Sequence, residues 1–239
     1  MNIKVFYHVI DLPGWYDITR EQLTKLAASG LLENCELHIN LNYNEQSFDQ
    51  LKAEWPQANI HWHFKENVKE DYEHPTAILM KEHADATDQE FYILYMHQKG
   101  ITYVGKENEL PVAQWRWLMD YWCIERWQDC VAALDQGYDT AGVNYVERHK
   151  GLGPHYSGTQ SWVKASFLRT CRPLVLPSTV DYQAQIAKKM KGDVWRYDIE
   201  AWFGNNHARA YCIYHSGLRD HYRVQHPPEL YRGLAAHDW

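Results

Sequence analysis

The first hundred residues alternate strand-like and helix-like segments, and no other feature of the chain restricts its fold as strongly. Residues 3–10 are an apolar, β-branched and aromatic run that stops at the turn cluster Asp11-Leu12-Pro13-Gly14. Thr19, with Glu21 and Gln22 after it, offers an N-cap for a helix with Leu23, Leu26, Ala27 and Leu31 at helical spacing. Residues 36–41 read as a second strand, and Ser47 caps a short helix over 48–55 that Pro56 ends. Residues 59–65 alternate Ile60, Trp62 and Phe64 with His61, His63 and Lys65, giving a strand with two unlike faces. A helix over 74–87, with Pro75 in its first turn, leads to a fourth strand at 91–96. The order β-α-β-α-β-α-β predicts an α/β fold: a central, mostly parallel sheet with right-handed crossovers, flanked by helices.

Beyond residue 100 the pattern is less regular. Pro111 opens one long helix to about Gln136, apolar on a broad face from Trp115 to Leu134 and ended by Gly137. Residues 138–145 read as a strand, 151–158 as a glycine-rich loop, 161–170 as a short helix and 181–191 as a charged helix. Short strand or loop pieces follow at 194–203 and 210–214. No repeat, low-complexity stretch or linker interrupts the chain, which reads as a single domain over 1–239.

The chemistry gathers at four segments. The fourth strand ends abruptly in His97-Gln98-Lys99-Gly100, and open α/β sheets bind ligands beyond the carboxyl ends of their strands. Lys99 is a point charge suited to phosphate, and Gly100 lets the backbone turn close to a ligand; the alternative is a solvated loop. Arg116 lies between Trp115 and Trp117, either as an anion contact or as one arginine on a buried helix face. The run His155-Tyr156-Ser157-Gly158-Thr159-Gln160-Ser161-Trp162 presents backbone N–H groups, hydroxyls and an aromatic wall, or is an ordinary helix entry. Asp198 and Glu200 share one face if extended, where a carboxylate can act as general base, or they mark a solvated strand edge. Dinucleotide-binding, P-loop, nucleophile-elbow and zinc-ligand patterns are missing from the sequence.

Composition bounds the partners. With 31 acidic and 24 basic residues the formal charge is −7, which disfavours a broad grip on DNA. A local patch of Lys150, Lys164, Arg169 and Arg172 keeps a DNA-directed activity open. Five scattered cysteines without a Cys-x-x-Cys pair fit reduced thiols and a cytoplasmic location. The chain shows neither a signal-peptide pattern nor an apolar stretch long enough to span a membrane.

Six segments in register resemble a group of small nucleotide-sugar glycosyltransferases found in bacterial polysaccharide loci and in viruses. They are Tyr95-Met96-His97-Gln98-Lys99-Gly100, Trp117-Leu118-Met119, Trp127-Gln128-Asp129-Cys130, Tyr138-Asp139-Thr140-Ala141-Gly142, the His155–Trp162 loop and Asp198-Ile199-Glu200-Ala201-Trp202. Thr159-Gln160-Ser161 departs from the pattern of that group. The resemblance implies a GT-A-like domain, with residues 1–105 binding the nucleotide and 106–239 the acceptor. It implies transfer of a sugar from a nucleotide-diphosphate donor, such as a UDP-sugar, to the hydroxyl of a glycan or other acceptor. A viral relative could instead glycosylate a hydroxymethylated DNA base, and a non-catalytic carbohydrate-binding protein could keep the fold. On this reading Glu200, or Asp198 as second choice, is the base. His8, Asp11 and Tyr16 meet the base and ribose; His97, Lys99, Gly100 and Arg116 meet the diphosphate; Ser157, Gly158 and Trp162 line the sugar or acceptor pocket. Relatives of this fold hold Mn²⁺ or Mg²⁺ on the diphosphate through Asp-x-Asp. Here His97-x-Lys99 stands in that place: Lys99 can neutralise the diphosphate without a metal, His97 could bind a metal or donate a hydrogen bond, and Asp139 and His215 could contribute further ligands.

Overall fold

The computed structural model describes residues 2–42, 48–65, 71–147, 153–179, 199–202 and 207–236. The expected alternation is present: β1 (Ile3–Ile10), α1 (Trp15–Ala28), β2 (Glu36–Asn42), α2 (Asp49–Glu54), β3 (Ile60–Lys65), α3 (His74–Asp85) and β4 (Tyr92–His97). After them come α4 (Glu109–Asp120), α5 (Trp127–Asp135), β5 (Thr140–Val143), β6 (Tyr145–Val146), β7 (His155–Tyr156), β8 (Ser161–Lys164), α6 (Ala165–Thr170) and β9 (Ala210–Tyr214). One seven-stranded sheet runs β3-β2-β1-β4-β8-β5-β9, and β6 and β7 form a small antiparallel pair. All neighbouring strands in the large sheet are parallel except where β8 runs against β4 and β5. The architecture is thus the expected mostly parallel sheet flanked by helices.

Alternation along the strands divides the core. Val5, Tyr7 and Val9 of β1, Leu37, Ile39 and Leu41 of β2, and Leu94 and Met96 of β4 face one way, into a cluster with Leu23, Leu26, Leu118 and Trp122. Phe6, Ile93 and Tyr95 face the other way, against Ala77, Met80 and Ala84 of α3 and Leu168 of α6. β1 and β4 are apolar on both faces because both faces are covered.

Three expectations are corrected. The long helix is two helices joined by a π turn over Tyr121–Glu125, closed by an Arg126 N–H bond to the Tyr121 carbonyl (2.9 Å). The wider turn holds Tyr121, Trp122, Cys123 and Ile124, all four buried. It also turns the Cys123 carbonyl toward the Trp162 indole N–H (2.9 Å). Residues 161–164 are a strand rather than a helix start, and helix begins only at Ala165. α1 starts at Trp15, so Thr19 lies inside it, with its hydroxyl bonded to the Trp15 carbonyl (2.7 Å). The charged helix expected over 181–191 and most of the 194–203 segment lie outside the described residues.

The carboxyl end of β4 is held by buried polar side chains. Gln98 accepts the Ile10 N–H (2.8 Å) and donates to the Trp15 carbonyl (2.9 Å) and the Thr19 hydroxyl (2.7 Å). It thereby joins the ends of β1 and β4 to the first turns of α1. Gly100 follows with φ +90°, where a Cβ would stand 2.8 Å from a Val112 methyl. Replacing Gln98 by Met would orphan the Ile10 N–H in a buried place, while the Trp15 carbonyl keeps the Thr19 hydroxyl. We expect a loss of about 2 kcal/mol in urea-denaturation free energy; a loss within about 0.5 kcal/mol, the scatter of ordinary surface substitutions, would show that Gln98 does not hold the strand ends.

Candidate active site

A cleft of ≈ 300 Å³ opens at the carboxyl ends of β1 and β4. Its lining divides into two parts. Ile10, Leu12, Ile101 and Tyr103 make an apolar and aromatic arm, and His8, His97, Lys99, Glu73, Glu200 and Tyr222 make a polar arm. Five residues singled out from the sequence therefore meet here: His8, His97, Lys99, Gly100 and Glu200. His8 and His97 are register partners on adjacent parallel strands, so both imidazoles rise on the same face.

Lys99 is half-buried, with its ammonium 4.1 Å from the centre of a Trp115 ring and 5.5 Å from that of Tyr222. Burial opposes its charge, but Tyr222, Glu200 and Glu73 together outweigh burial and hold its pKa above the ordinary lysine value. The two histidines are neutral. Burial first, then the Lys99 ammonium and the His8 ring, pushes His97 well below the usual imidazole range. Burial, with His74 beside it, pushes His8 down to about 3. His97 is 7% exposed, and its Nδ1 has no hydrogen-bond partner. The cleft thus combines one fixed cation, two carboxylates and two neutral imidazoles beside an apolar wall.

Other expected site residues are elsewhere. Arg116 is buried beneath the cleft, donating to the Lys99 carbonyl (2.9 Å) and to Glu21 Oε2 (3.2 Å). It fixes the backbone that carries Lys99 and does not line the cleft. Tyr16 turns toward α2, where its hydroxyl donates to Glu54 and accepts from Gln50. Asp11 is half-buried between the lining residues Ile10 and Leu12 and is not itself part of the wall. Trp162 is wholly buried and offers no face to a sugar. Gly158 lies against Trp115 and Met119, and Ser157 donates its N–H to the Asn144 carbonyl (3.0 Å). Their loop instead borders a hollow of ≈ 10 Å³, lined by His155, Tyr156, Thr159 and Ser161, which Glu200 also touches. Asp198 lies outside the described residues.

The expected metal pair does not assemble. Asp139 precedes β5 and accepts the Arg209 N–H (2.8 Å), whereas His215 follows β9 and accepts the Gly217 N–H (3.0 Å). β5 and β9 are parallel, so the two residues sit at opposite ends of the pair, roughly 15 Å apart at about 3.3 Å per residue. Among the described residues no group of three or more His, Cys, Asp or Glu side chains is arranged to hold a metal ion. Asp139 and His215 therefore do not share one metal site. Of the local basic patch, Arg169 donates to the carbonyls of Ala84 (3.3 Å) and Thr87 (2.9 Å), and Lys150 lies outside the described residues.

Glu73, Tyr103 and Tyr222 were not singled out from the sequence. Glu73 had a usable signal. The helix after β3 must begin at the carboxyl edge of the sheet, and the His74-Pro75 start places Glu73 at that edge. Tyr222 lies in irregular chain and carried no such signal.

Arg116→Met tests the support beneath Lys99. It would leave the Lys99 carbonyl without its donor and remove one of the cations on Glu21. Unfolding free energy is expected to drop by about 2 kcal/mol, below the range for fully buried pairs because Glu21 is partly exposed. A stability equal to that of the unaltered protein would show that the guanidinium is dispensable there.

No protein-family model and no curated protein matches the chain. Among solved structures it is similar to one from Desulfovibrio desulfuricans G20 designated a candidate nucleotide-diphospho-sugar transferase. The two share 9% identity over 90% of this chain and 80% of that one, with a TM-score of 0.42. It is also similar to 4-diphosphocytidyl-2C-methyl-D-erythritol synthase from Anaerococcus prevotii, at 9% identity over 95% and 92% of the two chains, with a TM-score of 0.44. The chemistry of this chain has to be read from its own cleft.

Proposed function

We propose that the protein is a glycosyltransferase that moves a sugar from a nucleotide-diphosphate donor to an acceptor hydroxyl. The observation that supports this most is the meeting of Lys99 and Glu200 in one cleft at the carboxyl ends of parallel strands. The apolar arm of Ile10, Leu12, Ile101 and Tyr103 suits a planar base, and the polar arm suits a diphosphate and a sugar. His8 remains a contact for the nucleotide, whereas the roles first expected of Asp11 and Tyr16 pass to the residues of the apolar arm.

In the reaction, the bond from the anomeric carbon to the β-phosphate oxygen breaks and a bond from the acceptor oxygen forms. The leaving diphosphate takes the electron pair, and Lys99 stabilises the charge that grows on it. Glu200 receives the acceptor proton. Displacement from the opposite face inverts the anomeric centre. His97, held neutral, offers a hydrogen bond without adding charge. No step is routed through a metal, because an ammonium stands where the β4 tip meets the diphosphate; turnover is expected to persist in EDTA.

Calorimetry with a panel of nucleotide sugars, followed by transfer assays, tests this reading. Lys99→Ala and Glu200→Gln are each expected to lower kcat by about 10²-fold or more. A variant with near-full activity removes that residue from the mechanism. Failure of every donor to bind would instead leave the cleft to a non-catalytic role.

A further inference from the structure

Histidines line the contact between α3 and the sheet. At the first turn of α3, Thr76 Oγ1 lies 2.9 Å from His8 Nδ1 and accepts from Asn40 Nδ2 (3.0 Å). Two turns further, His83 meets Phe6 edge-on (ring centres 5.3 Å apart) and His38 likewise (4.4 Å). His38 stacks between Phe6 (4.8 Å) and His61 (4.8 Å), and its Nδ1 lies 3.1 Å from His63 Nε2.

That nitrogen–nitrogen line has room for one proton. His38 is 3% exposed and its Nε2 has no hydrogen-bond partner. The Glu36 carboxylate is 3.7 Å from it and is already engaged by the Lys4 ammonium (2.8 Å). The charged and titratable groups facing His38 are therefore Lys4 from β1, Glu36 from β2, His61 and His63 from β3, and His83 from α3. Those facing His8 are His74 from α3 and His97 from β4. Among the described residues, the imidazoles of His38, His63 and His83 and the Lys4 ammonium face one carboxylate, an arrangement favoured while those three rings are neutral.

We propose that this seam is an acid-released latch: protonation of the imidazoles between α3 and the sheet undocks α3 and the edge strand β3, and carries Tyr72 and Glu73 out of the cleft. Apolar contacts would hold α3 equally well at any pH, whereas this seam holds it only above the range where imidazoles protonate. The coupling to the cleft is covalent, because Tyr72 and Glu73 directly precede the first turn of α3.

The direction follows from the closed-state values. Burial, then His83, His63 and His61, pushes His38 down to about 3, and burial is also the first cause lowering His63 and His83. An opened seam takes up protons below about pH 6.5, the ordinary imidazole value, while the closed seam does not. The latch therefore holds above that pH and weakens as pH falls, tenfold in the opening constant per pH unit for each proton taken up.

Hydrogen exchange read by mass spectrometry between pH 7.5 and 5.0, corrected for intrinsic exchange, tests this without a ligand and independently of the glycosyltransferase reading. Opening constants of peptides covering β3 and α3 are expected to rise at least tenfold per pH unit below 6.5, ahead of peptides from α1 and α4. His38→Phe keeps a stacked ring without a titrating proton and is expected to lower the pH 5.5 to 6.5 ratio about fivefold. His63→Gln and His83→Gln serve if that variant does not fold. Opening that ignores pH, an equal rise in α1 and α4, or an unchanged profile in all three variants would overturn the proposal.

Discussion

The site depends on how the last residues of β4 are held. A parallel strand that ends inside a protein leaves N–H and C=O groups that must find partners, and water is excluded on the helix-covered side. Here the partners are side chains. Gln98 satisfies the Ile10 N–H and ties it to α1, and Arg116 donates to the Lys99 carbonyl while paired with Glu21. Behind them Lys25 bridges Glu21 (2.6 Å) and Asp120 (2.9 Å), and Gln22 joins Asp120 (2.9 Å) to the Tyr7 hydroxyl (2.6 Å). A buried network of this kind is weak evidence for added stability, since its desolvation cost is high. Its clearer role is geometric. The pleat sends Gln98 toward α1 and leaves His97 on the cleft side, so fastening one side of the strand end aims the other.

That division also explains the electrostatics of the cleft. Lys99 lies against Trp115 and Tyr222, whose ring faces favour a cation, and near Glu73 and Glu200. Burial first, and then the same ammonium, disfavours a proton on His97. Burial and Lys99 thus act together on His97, and among the described lining residues the ammonium is the cation of the cleft. An incoming anion meets a charge already placed, with little reorganisation left to make.

The legible part of the sequence was the part governed by periodicity. β1 to β4 are long and bounded by turn residues, and the His61, His63 side of β3, which faces His83 of α3, is visible as alternation. The carboxyl-edge rule then located His97, Lys99 and Gly100. Where tertiary contacts override local pattern, the sequence misled. Trp162 in a glycine-led loop has the composition of a binding wall, yet β8 lies between β4 and β5 and both its faces are covered. Arg116 between two tryptophans has the composition of an anion site, yet its partners come from α1 and from a backbone carbonyl that no local pattern reveals. Asp139 and His215 flank strands whose parallel pairing, invisible in sequence, sets them at opposite ends. The π turn escaped because an apolar helix face drifting by one residue looks like one broad face.

α3 connects these strands of reasoning. Its start is fixed at the carboxyl edge by the crossover from β3, so its first turn must help to wall any ligand cleft of this sheet. Its packing face is mixed. Ala77, Met80 and Ala84 bury apolar area, while Thr76 and His83 meet histidines. Burial of the apolar residues contributes regardless of pH, and the imidazole contacts contribute only as neutral rings. A helix held by both terms stays docked by a margin that the solution can erase, and the element with that margin is the one that carries part of the cleft wall.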